Sequence, residues 1–147
     1  MRSIADLFSR FSNSPSPSTE NAAHALGRRG EDFAAKHLKR SRFKLLYRNF
    51  RAPGGGEVDL VCRDRDTNEL VFIEVKTRQT REFGDPSEAV NVKKQELIAR
   101  GAIAWLRMLD FPDIRYRFDI VEVIITPSQS EVVIIRNAFT LPERYRT

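Results

Sequence analysis

Four side chains near the middle of the chain offer the clearest chemistry. Glu57 and Asp59 stand two residues apart, and so do Glu74 and Lys76, with fourteen residues between Asp59 and Glu74. Both acids of interest lie in β-rich runs, 57–64 and 69–77, and Asp66-Thr67-Asn68 supplies a turn between them. Side chains alternate across a strand with period two. A hairpin folded about the Asp66–Thr67 bond therefore sets Asp59 opposite Glu74 and Glu57 opposite Lys76. Opposed Cβ atoms lie roughly 4.5–5.5 Å apart. The other face then carries Val58, Leu60 and Cys62 against Val75, Ile73 and Val71, all apolar. A slip of one residue would bury Glu74 and Lys76, so burial holds the register.

Two carboxylates that close disfavour joint ionisation, and one pKa must rise. A divalent cation between them reverses that cost. Lys76, on the same face, can orient or activate a water beside the metal, and the metal can stabilise charge on a phosphate oxygen. Phosphodiester hydrolysis needs this combination. With one cysteine and two histidines, the chain has few ligands for zinc, and carboxylate oxygens suit Mg²⁺ or Mn²⁺. The plainer alternative is the polar outer face of an ordinary hairpin, with Glu57–Lys76 as a cross-strand ion pair contributing about 0.2–1 kcal/mol. That alternative accounts for Glu57 and Lys76 but leaves Asp59 facing Glu74 without a reason.

The surrounding elements must position these groups. Residues 20–40 read as a helix with Leu26, Phe33, Ala34, His37 and Leu38 on one face and Glu31 at its margin. Gly27 and Gly30 each weaken such a helix by about 1 kcal/mol relative to Ala, which points to close packing. A strand over 43–50 ends at Ala52-Pro53-Gly54-Gly55-Gly56. Those glycines could admit a phosphate backbone, but no Gly-Lys-Ser/Thr follows to make a nucleotide loop. Asp85-Pro86-Ser87-Glu88 reads as a capped helix start. The helix runs to about Leu109, with Asn91 as an interruption, and its stripe of Leu97, Ile98, Ala102, Trp105 and Leu109 reads as core. Strands over 117–125 and 132–139 flank a turn at 127–130. The order α-β-β-β-α-β-β predicts an α/β fold, a mixed sheet flanked by helices.

At 147 residues the chain suits one domain. It is expected to span 20–141, after a flexible Ser/Pro-rich segment at 1–19 and before a short tail at 142–147. The net charge of +5 and pI near 9.7 favour a polyanionic partner, nucleic acid above all. Arg78, Arg81, Lys93, Lys94 and Arg100 follow the acids and could contact backbone phosphates, although such runs are often only a solvated face. Asp119, between Phe118 and Ile120, reads as a structural acid, and His24 and His37 as packing or surface residues. A single cysteine fits a reducing compartment, so a cytoplasmic location is expected. No apolar run approaches the roughly 20 residues that span a bilayer, so no membrane partner is expected.

The spacing of Asp59 and Glu74-Val75-Lys76 resembles the PD-(D/E)xK signature of restriction-endonuclease-like nucleases, with Val58 in place of the signature's proline. Over about residues 24–140 the chain is similar to the YraN-like family of uncharacterised bacterial proteins, which has no firmly assigned substrate. The matching segments are Gly27-Arg28-Arg29-Gly30-Glu31, Gly56 to Val61, Phe72 to Arg78, Glu88-Ala89-Val90-Asn91 with Lys94-Gln95, Arg117 to Val121, and Asn137-Ala138-Phe139. The resemblance implies a restriction-endonuclease-like fold and a site related to archaeal Holliday-junction resolvases. Asp59, Glu74 and the Val75 carbonyl would ligate Mg²⁺, Glu31 would add a further acid, and Lys76 would position the attacking water. Glu57 and Gln95 would support the site. The activity so implied is a Mg²⁺-dependent endonuclease on DNA, branched or structured DNA included. The alternative is a nucleic-acid-binding or partner-binding module with little catalysis. A homodimer, with two sites for two strands, is compatible with either.

Overall fold

A computed structural model of the chain describes residues 21–80 and 90–146. The N-terminal segment, Arg81 and the expected cap at Asp85–Glu88 lie outside the described residues. Helix α1 (Ala22–Lys39) is followed by strands β1 (Phe43–Arg51), β2 (Glu57–Asp64) and β3 (Leu70–Arg78). Helix α2 (Val92–Met108) then leads to strands β4 (Tyr116–Ile125) and β5 (Ser130–Phe139), and a 3₁₀ turn at Glu143–Tyr145. This is the expected α-β-β-β-α-β-β order. Each helix starts on an asparagine: the Asn21 side chain accepts the His24 N–H, and that of Asn91 the Lys94 N–H, both at 2.9 Å. Each bond satisfies a donor that the first turn leaves open. Among the described residues no helix is long and apolar enough to cross a membrane.

The five strands lie in the order β1-β2-β3-β4-β5. All neighbours are antiparallel except β3 and β4, which run parallel from Leu70–Tyr116 to Arg78–Ile124. A parallel pair needs a crossover, and α2 lies within the connection that makes it. In the central hairpin Leu60 pairs with Ile73 and Cys62 with Val71, the register expected from a turn at Asp66–Thr67. Asp64 shapes that turn, its Oδ1 accepting the Asp66 N–H at 2.9 Å.

The sheet is flanked by helices as expected, and both of its faces are buried. On one side Ala34, Ala35 and Leu38 of α1 pack over Leu60, Cys62, Val71 and Ile73. On the other, Ile98, Ala102 and Trp105 of α2 pack over Phe50, Val61, Phe72 and Ile120. Trp105 is a core residue, edge-on to Phe50 at 5.4 Å. Two expectations fail here. Val58 joins the α2 side and not the side of Leu60, because α2 approaches closely enough for a Cβ on Gly101 to lie 2.9 Å from its Cγ2. Phe33 and His37 of α1 are exposed, and the buried face is Gly30, Ala34, Ala35 and Leu38. The cause is Gly30: a Cβ there would lie 1.8 Å from Thr77 Oγ1, so this turn of α1 sits directly on β3. Gly27, by contrast, faces open space.

The far end of the hairpin is tied by a buried arginine. Arg117 donates to Asp64 and Glu69 at 2.9 Å and to Asp119 at 3.0 Å. Asp119 also accepts the Asn137 N–H at 2.9 Å, and it is fully buried, which makes it the structural acid expected. Burial opposes charge on Asp64, but Arg117, the Asp66 N–H and Arg42 outweigh it and hold its carboxyl at about 2. Burial, then the charge of Asp119, pushes the Cys62 thiol up to about 12, so Cys62 packs as a small apolar residue.

Candidate functional site

The opposite end of the hairpin gathers the acids. The β2–β3 ladder stops at Leu60–Ile73. Beyond it a side chain takes over from the backbone: the Val75 N–H donates to Asp59 Oδ2 at 2.8 Å. In an antiparallel ladder a residue's N–H and C=O point toward the same neighbour. The Val75 carbonyl therefore faces the same gap, as a ligand from that atom requires. Asp59 and Glu74, expected to be opposed, do meet, their carboxyls within hydrogen-bonding reach.

Glu31 reaches the same cluster from α1. Its carboxyl also lies within hydrogen-bonding reach of Asp59. With its amide nitrogen turned inward, Asn49 donates to both Glu31 oxygens at 3.1 and 3.2 Å. Asn49 stands across from Asp59, since its neighbours Arg48 and Phe50 pair with Leu60 and Val58. Its φ of 54° is left-handed, a conformation asparagine tolerates better than most residues. Sequence reasoning missed Asn49. The one available signal was an asparagine inside an otherwise regular strand pattern.

The electrostatics of the cluster are unfavourable as it stands. Burial, then the charge of Asp59, raises the Glu74 carboxyl to about 8. The same two causes raise Glu31 to about 7. Glu74 is 4% exposed, and its Oε2 is buried with no hydrogen-bond partner. Such an atom carries a full desolvation cost.

Two lysines attend the cluster, and their pairing differs from expectation. Lys76 Nζ lies 3.9 Å from Glu74 Oε1, but Glu57 does not pair with Lys76. Its carboxylate accepts from Lys94 Nζ, which also lies 3.5 Å from Glu74 Oε1. Burial works against charge on Lys94, but the Glu57 hydrogen bond and the Glu74 charge outweigh it and raise its pKa. Lys94, read from the sequence as a phosphate contact, is thus inside the acid cluster. The Gly-rich loop explains how it gets there. Gly56 is buried, and a Cβ on it would lie 2.6 Å from the Gly101 nitrogen. Of the loop's three glycines it is Gly56 that meets the α2 backbone, whereas Gly54 faces open space. Lys94 lies two turns before Gly101 on the same helical face, over the start of β2.

The remaining predicted residues do not join the cluster. Arg78 Nε lies 3.3 Å from buried Glu122. Lys93 and Arg100 are exposed on α2, and Arg100 donates to the Tyr145 hydroxyl at 3.1 Å. Gln95 donates to the Val90 carbonyl at 3.0 Å, securing the entry to α2. His24 and His37 are at the surface.

Among the described residues no group of three or more His, Cys, Asp and Glu side chains is placed to hold a metal ion. Mg²⁺ seldom uses such a group; it is held by one or two carboxylates together with waters and substrate phosphates. Asp59, Glu74 and the Val75 carbonyl could supply that partial set, with Glu31 beside it.

The relatives of this chain share most of its length. It is 47% identical over 117 residues to the UPF0102 protein GSU0650 of Geobacter sulfurreducens, covering 79% of this chain and 89% of that one. It is 41% identical over 117 residues to a UPF0102 protein of Geobacter metallireducens, covering 80% and 93%. A UPF0102 protein of Nocardia farcinica is 42% identical over 109 residues, covering 74% and 84%. Among solved structures it resembles the crystal structure of SSO0001, at 18% identity and a TM-score of 0.37, over 82% of this chain and 55% of that one. The family model described as "Uncharacterised protein family UPF0102" matches residues 30–123, and the chain belongs to that family.

Proposed function

We propose that this protein is a metal-dependent phosphodiester hydrolase acting on nucleic acid, DNA in the first instance. The observation that carries the reading is the Glu74 carboxyl: buried, next to Asp59, with one oxygen that no donor satisfies. A buried carboxyl beside a second, half-buried one is costly without a cation. Asp59, Glu74 and the Val75 carbonyl would hold Mg²⁺ or Mn²⁺, with Glu31 as the adjoining acid. The ion supplies Lewis acidity toward a phosphate oxygen and charge to offset the carboxylates. The chain's own groups do the rest. Asp59 fixes the Val75 peptide, Asn49 fixes Glu31, and Lys76 donates to and orients a water. As the water oxygen bonds to phosphorus, the bond to the leaving oxygen breaks; the proton that the water loses passes to solvent, and the leaving oxygen takes one up from solvent to end as a hydroxyl. Lys93 and Arg100, both exposed on α2, would contact flanking phosphates, a sequence-independent mode of binding.

The test is a cleavage panel with Mg²⁺ or Mn²⁺ against duplex, single-stranded, flap and four-way DNA, with matched RNA. Cleavage that Asp59→Asn and Lys76→Ala both abolish is the expected result. Folded protein that cuts none of these substrates would refute the reading. One observation favours the alternative of a binding module with little catalysis: Lys94 already neutralises part of the acid cluster. Retained DNA binding without cleavage would identify that alternative.

A further inference from the structure

The cluster brings together the carboxyls of Glu31, Glu57, Asp59 and Glu74 and the ammonium groups of Lys76 and Lys94. The two lysines differ in kind. Lys76 stands on the same strand as Glu74 and approaches it only to 3.9 Å. Lys94 comes from another element, bridges Glu57 on β2 to Glu74 on β3, and is itself half-buried. It engages Glu74 through Oε1, while the Oε2 of that carboxyl has no partner. An ammonium in that position does part of what a divalent ion would do, but leaves the cluster under-neutralised.

We propose that Lys94 is a resident counter-ion that holds the place of a divalent cation at Glu74, with Glu57 as the carboxylate it keeps when the cation binds. The inference rests on the metal-binding reading above. Two cations sharing Glu74 repel, so ion binding and the Lys94–Glu74 contact oppose each other. Glu57 makes the exchange feasible, because it already accepts from Lys94 and prevents a buried charge from being stranded. It also gives Glu57 a role that neither a metal ligand nor a partner of Lys76 would have. The α2 backbone need not move, since lysine has three rotatable donors on a flexible stem. Coupling of this kind is reciprocal: what the ion loses to Lys94, Lys94 loses to the ion.

The test is calorimetric titration of Mn²⁺ and Mg²⁺ into the metal-stripped full chain, without substrate. Lys94→Met should bind about tenfold more tightly than wild type, within the usual range for coupled sites. Lys94→Arg, which keeps the charge, should return the affinity toward wild type, and a merely structural role would not follow charge in this way. Arg107→Met removes an exposed charge from the same helix and should change affinity by less than about twofold, as expected of a screened surface group. Lys94→Gln serves as a second neutral variant should Met disturb folding. In EDTA, Lys94→Met should melt below wild type and recover more on adding Mn²⁺. Metal affinity unchanged or weakened in both neutral variants, while Asp59→Asn abolishes binding, would overturn the placeholder role and leave the metal site standing. No binding by wild type or by either neutral variant would overturn the metal reading and this inference together.

Discussion

Replacing Glu74 with glutamine should make the metal-free protein more stable at pH 8, although it removes a central group of the site. The reasoning begins with linkage. The Glu74 carboxyl is raised from 4.5 to about 8 in the folded chain. Between those values the unfolded chain has released a proton that the folded chain still holds. Stability therefore falls as pH rises through this window. Below about pH 4.5 the penalty is absent, and above about 8 it is complete. At about 1.4 kcal/mol for each pH unit, the full rise sets an upper bound near 5 kcal/mol. One proton shared with Asp59 relieves both acids, and Lys94 and Lys76 can re-aim toward the charge. We expect about half the bound, near 2 kcal/mol. Gln is close in size, so little packing is lost.

Urea unfolding in EDTA at pH 4.5, 6 and 8 measures the effect directly. The Glu74→Gln gain should be near zero at pH 4.5 and grow to about 2 kcal/mol at pH 8. Saturating Mn²⁺ should reverse the order, because an ion that binds only the folded state stabilises wild type more than the variant. A variant equally or less stable than wild type at every pH would show that the acids carry no electrostatic cost, and the case for a cation at Asp59 and Glu74 would lose its physical basis.

Three other perturbations probe the scaffold. Gly30→Ala would set a methyl 1.8 Å from Thr77 Oγ1, costing about 1–3 kcal/mol; Thr77→Ala in the same chain should recover part of the loss in a denaturation cycle. Asp64→Asn leaves buried Arg117 short of a partner. Because the Asp64 carboxyl is depressed to about 2, its contribution is present above about pH 3.8, its unfolded value, and lost as pH falls through about 2. The variant should lose about 2 kcal/mol at pH 7, with the difference from wild type vanishing in acid. Trp105→Ala should cost about 3–5 kcal/mol while leaving Mn²⁺ affinity unchanged in the folded fraction, since the ring packs on Tyr47 and Phe50 in the core under α2.

The hairpin register was legible because two independent signals agreed: the apolar alternation of Leu60, Cys62, Val71 and Ile73, and a turn at Asp66-Thr67-Asn68. Asp59 and Glu74 followed from it. The partner of Glu57 did not, for two reasons. The ladder ends at Leu60–Ile73, so pairing rules no longer govern Glu57 and Lys76. The true partner, Lys94, lies 37 residues away in sequence, and only tertiary packing brings it near. The buried face of α1 was misjudged because hydropathy places Phe33 inside, whereas the close contact is made by Gly30, which has no side chain to register in an apolar count. Asn49 was invisible for a related reason: its contribution depends on a left-handed backbone, which strand periodicity does not encode.

These misses share a physical origin that bears on how the site is assembled. Each helix meets the strand ends where a side chain is absent, and each carries a charged group beside or in line with that contact. On α1 the contact is Gly30 against Thr77, and the next residue is Glu31. On α2 it is Gly101 against Gly56 and Glu57, and Lys94 lies two turns earlier, about 10 Å along the axis at 1.5 Å per residue. A Cβ at either contact would lift the helix from the sheet and carry its charged group away from Asp59 and Glu74. The glycines thus act on the chemistry through distance alone. Gly101→Ala should consequently weaken the coupling between Lys94 and metal affinity even where the fold survives, and a variant that kept that coupling intact would show that Lys94 reaches Glu74 without the close approach of α2.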